Sequence, residues 1–307
     1  MMIKNPTAVR FLHHLISGEA FYSGLFCLLV AIAARHYRWR GGERTVWIFT
    51  ALGGLLIYLS ATPLANGYVL PVLITVGWLI FAAPSGKDAA ASPVLDKSQR
   101  RPVRKFELWL GFAVALLWLI EGVQELGWHQ PPVLKFPHPA HVVVLGDSLS
   151  ADHATPDVLV TWPKLLGDQC KCEVLNLSQP GVTVARALKH LPKTYPEEAL
   201  TIVELGGNDL LGKTSSVQFE AQLDALLKEV TSHSRETLMF ELPLPVQGNG
   251  YGAAQRRLAR KYKVQLIPKS VLAGLLISPA TTIDTIHMNA YGHYLLAERI
   301  GKIVCGK

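Results

Sequence analysis

The chain has 307 residues, of which 50% are hydrophobic and 17% charged, and its mean hydropathy is +0.25. Ordinary soluble domains carry about 25% charged residues, so the composition argues against a wholly soluble protein, and its hydrophobicity excludes a disordered one. Four cysteines are too few for a disulfide scaffold. The net charge of +7 would suit a nucleic-acid binder, but it is unevenly placed: residues 1–140 hold 13 Lys and Arg against 7 Asp and Glu, whereas residues 141–307 hold 17 against 16. The basic excess lies beside apolar runs, which fits a membrane surface better than nucleic acid.

The apolar first half reads as four membrane spans. From Phe11 to Ala34 the only charge is Glu19, giving a first span at about 18–34. No charge occurs between Arg44 and Lys87, a stretch about twice the ~20 residues that cross a bilayer. The run Thr62-Pro63-Leu64-Ala65-Asn66-Gly67 divides it by its turn composition into spans at about 46–63 and 68–84. A fourth is expected at about 106–123, with Trp109, Trp118 and Trp128 as interfacial anchors. Arg35, Arg38, Arg40 and Arg44 follow the first span, and Lys87, Lys97, Arg100, Arg101, Arg104 and Lys105 follow the third. The positive-inside rule places both basic loops in the cytoplasm and the C-terminal half outside it. Residues 85–105 read as a flexible cytoplasmic loop. No secretory cleavage site is evident, so the N-terminus is expected to remain as structure.

The domain reading is therefore a transmembrane region at 1–128, a Pro-rich linker at 129–140 (HQPPVLKFPHPA) and a globular domain at 141–307. In the last part strands alternate with helices. HVVVLGDS, CEVLNLSQPG, ALTIVELGGND, TLMFELPLPV and KVQLIP predict strands. Helices are predicted at about 160–168, 182–193, 216–231, 251–262 and 289–304. That alternation gives an α/β fold with a parallel sheet covered on both faces, whose ligands bind at the carboxyl ends of the strands.

The polar clusters lie at those ends. Gly146-Asp147-Ser148 closes the first strand, Gly181 follows the second, Gly206-Gly207-Asn208-Asp209 closes the third, and Asp284-Thr285-Ile286-His287 precedes the last helix. Together they suit acyl transfer. Ser148 is the candidate nucleophile, His287 its base, and Asp284 the carboxylate that orients the ring. The Ser148 and Gly181 amides and the Asn208 side chain are candidate oxyanion donors. Asp147 and Asp209 are expected to cap loops and His293 to be structural; His13, His14, His153, His190 and His233 show no partner pattern. Gly146-Asp147-Ser148-Leu149-Ser150 lacks the second glycine of the α/β-hydrolase elbow. No His, Cys and carboxylate spacing forms a metal ligand set, and no cofactor is expected.

These blocks resemble the SGNH (GDSL) hydrolases from about 141 to 304. VVVLGDSLS, LNLSQPGVTV with Gly181, VELGGND and DTIHMNAYGH fall where the family's four blocks fall. Trp162-Pro163-Lys164-Leu165-Leu166 and VELGGNDLL resemble the thioesterase I/arylesterase/lysophospholipase branch. The resemblance implies a flavodoxin-like three-layer domain, Ser148, Asp284 and His287 as the triad, and Ser148, Gly181 and Asn208 as the oxyanion hole. Thr285 replaces the branch's glycine, and Gln179-Pro180-Gly181-Val182-Thr183 lacks its Ser-Gly-Asp pattern. The expected activity is a membrane-anchored serine esterase acting on acyl esters of lipids such as lysophospholipids. Alternatives are an envelope-glycan O-acetyltransferase or deacetylase, and an inert membrane assembly protein. The expected partners are the bilayer and an acyl-ester substrate, without nucleic acid. Cys170 and Cys172 are two apart, so a bridge from one of them to Cys305 competes with free thiols.

Overall fold

The computed structural model describes residues 5–37, 42–63, 69–81, 97–152, 158–284 and 286–306. It forms two compact units. One comprises Met1–Glu19, Ser60–Pro63 and Trp128–Lys307; the other comprises Ala20–Leu59 and Leu64–Gly127.

The larger unit carries a five-stranded sheet, β1 (His141–Gly146), β2 (Glu173–Asn176), β3 (Leu200–Glu204), β4 (Glu236–Phe240) and β5 (Gln265–Ile267). Its order is β2-β1-β3-β4-β5, and every pairing is parallel. This is the expected doubly wound order, in which the sequence direction of strand addition reverses between β1 and β3. Helices α6 (Trp162–Cys170), α11 (Lys269–Leu276) and α12 (Ala290–Cys305) pack on Val142, Val144, Ile202, Leu238 and Phe240. The alternate residues Leu145, Val203 and Met239 face α9 (Ser216–His233) and α10 (Asn249–Tyr262). The strands read as nearly continuous apolar runs because both faces are covered. Among the helices that follow β1, two short ones escaped the sequence reading: α8 (Gly207–Leu211) and α11, each too short for helical periodicity to register. Helix α7 (Val184–Lys189) is also shorter than expected.

Two segments from the apolar first half also belong to this unit. Helix α1 (Pro6–Ile16) is capped by Asn5, whose side chain accepts the Thr7 N–H at 2.9 Å, and it packs on α11. Ala61 donates its N–H to Leu15 O at 2.9 Å, and the buried Lys269 ammonium donates to Ala61 O. Residues 129–140 are tied down rather than free. The Lys135 N–H reaches the Glu236 carboxylate at 3.2 Å, the Val133 N–H reaches Gln265 Oε1 at 3.1 Å, and Arg235 lies 3.7 Å from the centre of the Phe136 ring.

The smaller unit is helical: α2 (Glu19–His36), α3 (Gly42–Leu59), α4 (Val69–Phe81) and α5 (Lys97–Leu126). Phe21, Leu25, Leu28, Ile57, Trp78, Val114 and Trp118 form its interior. A Cβ on Gly24 would stand 2.6 Å from Gly53 O, so α2 and α3 approach backbone to backbone, a packing that small residues permit. Phe26, Ile48, Leu55, Leu73, Trp109 and Phe112 are exposed.

Four spans were expected, but among the described residues two helical stretches are long and apolar enough to cross a bilayer, Glu19–His36 and Trp109–His129. The second and third expected spans were drawn from the uncharged interval alone. Helix α3 starts at Gly42, takes Glu43 and Arg44 into its first turn and ends at Leu59. Helix α4 has 13 residues, about 20 Å at 1.5 Å each. The expected loop at 85–105 is corrected too: residues 97–105 belong to α5, and the preceding part lies outside the described residues.

Cys170, at the end of α6, is bonded to Cys305, at the end of α12; Cys27 and Cys172 are free. The bridge spans 135 residues, and closing so long a loop in the unfolded chain gives it a stabilising effect of about 5 kcal/mol in the chain-entropy account. Cys170→Ser is expected to lower the thermal midpoint under non-reducing conditions by an amount that dithiothreitol reproduces in the parent protein. Cys172→Ser is expected to leave it unchanged.

Candidate active site

Ser148 follows closely on β1. The chain turns at once, with the Ser150 and Ala151 N–H groups donating to Asp147 O at 3.1 and 2.9 Å. Ser148 itself is half-buried, and among the described residues its hydroxyl makes no hydrogen bond. Asp147 is 4% exposed. Its Oδ1 accepts the Leu149 N–H at 3.0 Å and its Oδ2 accepts the Asn208 amide at 2.9 Å. An asparagine amide has two N–H groups, so Asp147 fixes the side chain through one and leaves the other uncommitted.

Gly181 lies in the turn after β2. The Gln179 N–H donates to Gly146 O at 3.1 Å, which ties this turn to the end of β1. Gly181 has φ +70°, and a Cβ there would meet nothing within 4 Å. Glycine is therefore required by the backbone angle rather than by crowding, and the space beside it stays open to a ligand. Gly206 shows the opposite case: φ is +121°, and a Cβ would stand 2.8 Å from Leu242 Cδ1. Asp209, fully buried, accepts the Val184 N–H at 3.0 Å and so holds the start of α7. Burial raises its carboxyl above the ordinary range, and the Val184 N–H opposes that rise. Asp147 and Asp209 thus do the loop-holding expected of them.

Asp284 and His287 occupy a loop closed by the antiparallel bridge between Thr282 and Met288. The Ile283 N–H donates to His287 O at 2.9 Å. Asp284 Oδ2 pairs with His287 Nδ1 at 2.8 Å, while Asp284 Oδ1 accepts the Ile286 and His287 N–H groups at 2.7 and 2.6 Å. Burial pushes the Asp284 carboxyl up, but the hydrogen bonds from the His287 ring and the two backbone amides outweigh it and bring it to about 2. Asp284 is thus an anion throughout the neutral range. An aspartate on Nδ1 leaves Nε2 as the position from which a neutral ring can accept a proton. Burial raises the Asp147 carboxyl, with the Leu149 N–H opposing that rise. Thr285 lies outside the described residues.

A model of the GDSL-like Lipase/Acylhydrolase family matches residues 144–295. The thioesterase 1/protease 1/lysophospholipase L1 of Escherichia coli (strain K12) is 31% identical over 170 residues, covering 52% of this chain and 81% of its own. The chain belongs to this GDSL-like family. It is an SGNH/GDSL-type esterase. Esterase TesA of Pseudomonas aeruginosa is 30% identical over 138 residues, 41% of this chain and 69% of its own. A crystal structure of TesA is 25% identical, covers 52% of this chain and 95% of its own, and has a TM-score of 0.47.

Several residues of this esterase had no role assigned from sequence. Glu204, within VELGGND, is buried beneath the Asp147 turn; an acid ending an apolar strand was its only signal. Trp162 is fully buried and donates its indole N–H to Ser150 Oγ at 3.1 Å. His13 and His14 share Glu19, with Nδ1 to Oε2 separations of 3.8 and 3.3 Å. The His233 ring stacks on Tyr195, His190 ends α7, and His153 lies outside the described residues.

His293, in α12, is buried as expected of a structural residue and accepts the Trp162 backbone N–H at Nδ1, 3.3 Å away. Burial lowers its pKa from 6.5 to about 4, against a smaller upward pull from Asp152. Between those values the unfolded chain binds the proton and the folded one does not, so stability falls as the pH drops from 6.5 towards 4. The loss is on the order of 2–3 kcal/mol. His293→Gln, which retains an acceptor but cannot be charged, is expected to flatten this part of the profile when thermal midpoints are compared at pH 7 and pH 4.5.

Proposed function

We propose that this esterase is a membrane-anchored serine hydrolase that cleaves acyl esters of lipids such as lysophospholipids. The observation that carries the chemistry is the Asp284–His287 pair at 2.8 Å, in a chain whose Ser148 hydroxyl, unbonded among the described residues, follows strand β1. In the proposed cycle Ser148 Oγ attacks the ester carbonyl while His287 Nε2 takes its proton. The oxyanion is held by the Ser148 and Gly181 amides and by the free N–H of Asn208. His287 then gives the proton to the departing alcohol. A water, deprotonated by His287, attacks the acyl-serine, and its collapse frees the acid and restores Ser148.

The lipid substrate is supported by two things. One is the relative whose name includes lysophospholipase. The other is the set of exposed apolar side chains on the helical unit, Phe26, Ile48, Leu55, Leu73 and Trp109 among them, which suits lipid contact. Two apolar stretches, Glu19–His36 and Trp109–His129, are the proposed anchors. The esterase domain is proposed to lie on the extracytoplasmic side. Tethering there raises the local concentration of lipid esters.

The deciding experiment is hydrolysis by the full-length detergent-purified protein of esters from acetyl to palmitoyl in mixed micelles, with Ser148→Ala as control. Turnover that rises with chain length and vanishes in Ser148→Ala is the expected result. Activity confined to acetyl esters would sink the lipid reading and point to envelope glycans. Asn208→Ala is expected to fold normally and to lose ~10²–10³ in kcat, the usual cost of one oxyanion donor; near-normal turnover would remove Asn208 from the oxyanion site.

A further inference from the structure

Strands β1 and β3 are in register at their carboxyl ends, with Gly146 opposite Glu204. Glu204 is 1% exposed, a depth at which acids are rare unless partnered. Its Oε2 accepts two hydrogen bonds from the nucleophile turn: the Asp147 N–H at 3.2 Å and the Ser150 hydroxyl at 2.9 Å. Ser150 Oγ is itself fixed by the Trp162 indole N–H at 3.1 Å. Glu204 Oε1 meets no donor among the described residues.

We propose that Glu204 is a positioning residue that locks the Ser148 turn to the oxyanion amide, holding Asp147 by its backbone N–H so that the Asp147 carboxylate in turn orients Asn208. This rests on the reading of Asn208 as an oxyanion donor.

The chemistry of two adjacent buried acids supports it. They cannot both ionise cheaply in a low-dielectric site. Burial, and then the neighbouring Asp147 charge, drive the Glu204 carboxyl well above its usual range. Asp147 is also raised by burial, with the Leu149 N–H pulling in the other direction. Of the two, Glu204 is the one driven further towards its neutral form. The Asp147 carboxylate accepts from both Leu149 and Asn208. A chain of hydrogen bonds thus runs from Trp162 through Ser150, Glu204 and the Asp147 backbone and carboxylate to Asn208.

The test compares Glu204→Gln and Glu204→Leu in the full-length protein, using a nitrophenyl ester in detergent and melting curves as a check on folding. Glutamine is neutral and keeps both an acceptor and an N–H donor, so Glu204→Gln is expected to retain kcat within about threefold. Glu204→Leu keeps the volume but no hydrogen bond, and is expected to lose about 10² in kcat with KM nearly unchanged, the pattern of an interaction made in the transition state. Should the leucine variant fail to fold, Glu204→Met, unbranched like glutamate, carries the same comparison. In the Asn208→Ala background the further loss is expected to shrink to a fewfold, because neighbours in one network are not additive. A folded Glu204→Leu with normal kcat, a glutamine variant as poor as leucine, or losses that multiply fully with Asn208→Ala would each overturn the proposal. Normal turnover by Asn208→Ala alone would be a separate failure, of the oxyanion reading itself.

Discussion

The parallel pairing of β1 with β3 is the constraint from which the site follows. Their register, from Val142–Leu200 to Gly146–Glu204, brings two chain reversals side by side at the point where the order of strand addition changes direction. One reversal delivers Ser148 and the other Asn208. Asp147 stands between them, accepting from the Asn208 amide and from the backbone of its own turn. The β2 turn joins through the hydrogen bond of Gln179 to Gly146. The His287 loop owes little to the sheet. It is shaped by the bridge at Thr282–Met288 and by three hydrogen bonds converging on Asp284, so that His287 and Asp284 arrive as a preassembled pair.

Much of this was legible in the sequence because the relevant signals are local. Apolar runs ending in Gly-Asp-Ser or Gly-Gly-Asn-Asp locate strand and turn together, and all five strands lie where their runs predict. The Asp284–His287 spacing similarly locates a pair that needs only one loop. What could not be read depends on neighbours distant in sequence. Glu204 acquires meaning only once β3 lies beside β1. Lys269 looks like a surface residue until Ala61, 208 residues away, presents its carbonyl. His13 and His14 find Glu19 only because the chain breaks at Ser17-Gly18 between two helices.

The apolar first half shows why an uncharged interval is a weak measure of architecture. Hydropathy sees composition, whereas helix ends are set by turns and by what their residues bond to. Ser60–Pro63 leaves the α3 helix and belongs to the same compact unit as the sheet, and α1 does likewise. A boundary drawn at one point in the sequence therefore separates residues that pack together. The proline-rich segment at 129–140 makes the same point from the other side, since its Val133 and Lys135 amides are held by Gln265 and Glu236.

The Cys170–Cys305 bridge also constrains how the protein is made. Its two sulfurs are separated by 135 residues, a stretch that contains β2, β3, β4 and β5. During vectorial synthesis Cys170 has to remain a thiol until all four of those strands have emerged. Its neighbour Cys172 waits beside it and competes for the same late partner. The choice falls to α6, whose last turn carries Cys170 towards α12 before the left-handed Lys171 redirects the chain into β2. The correct bridge is therefore a product of tertiary structure already in place, a seal applied to a finished fold rather than a scaffold for building it.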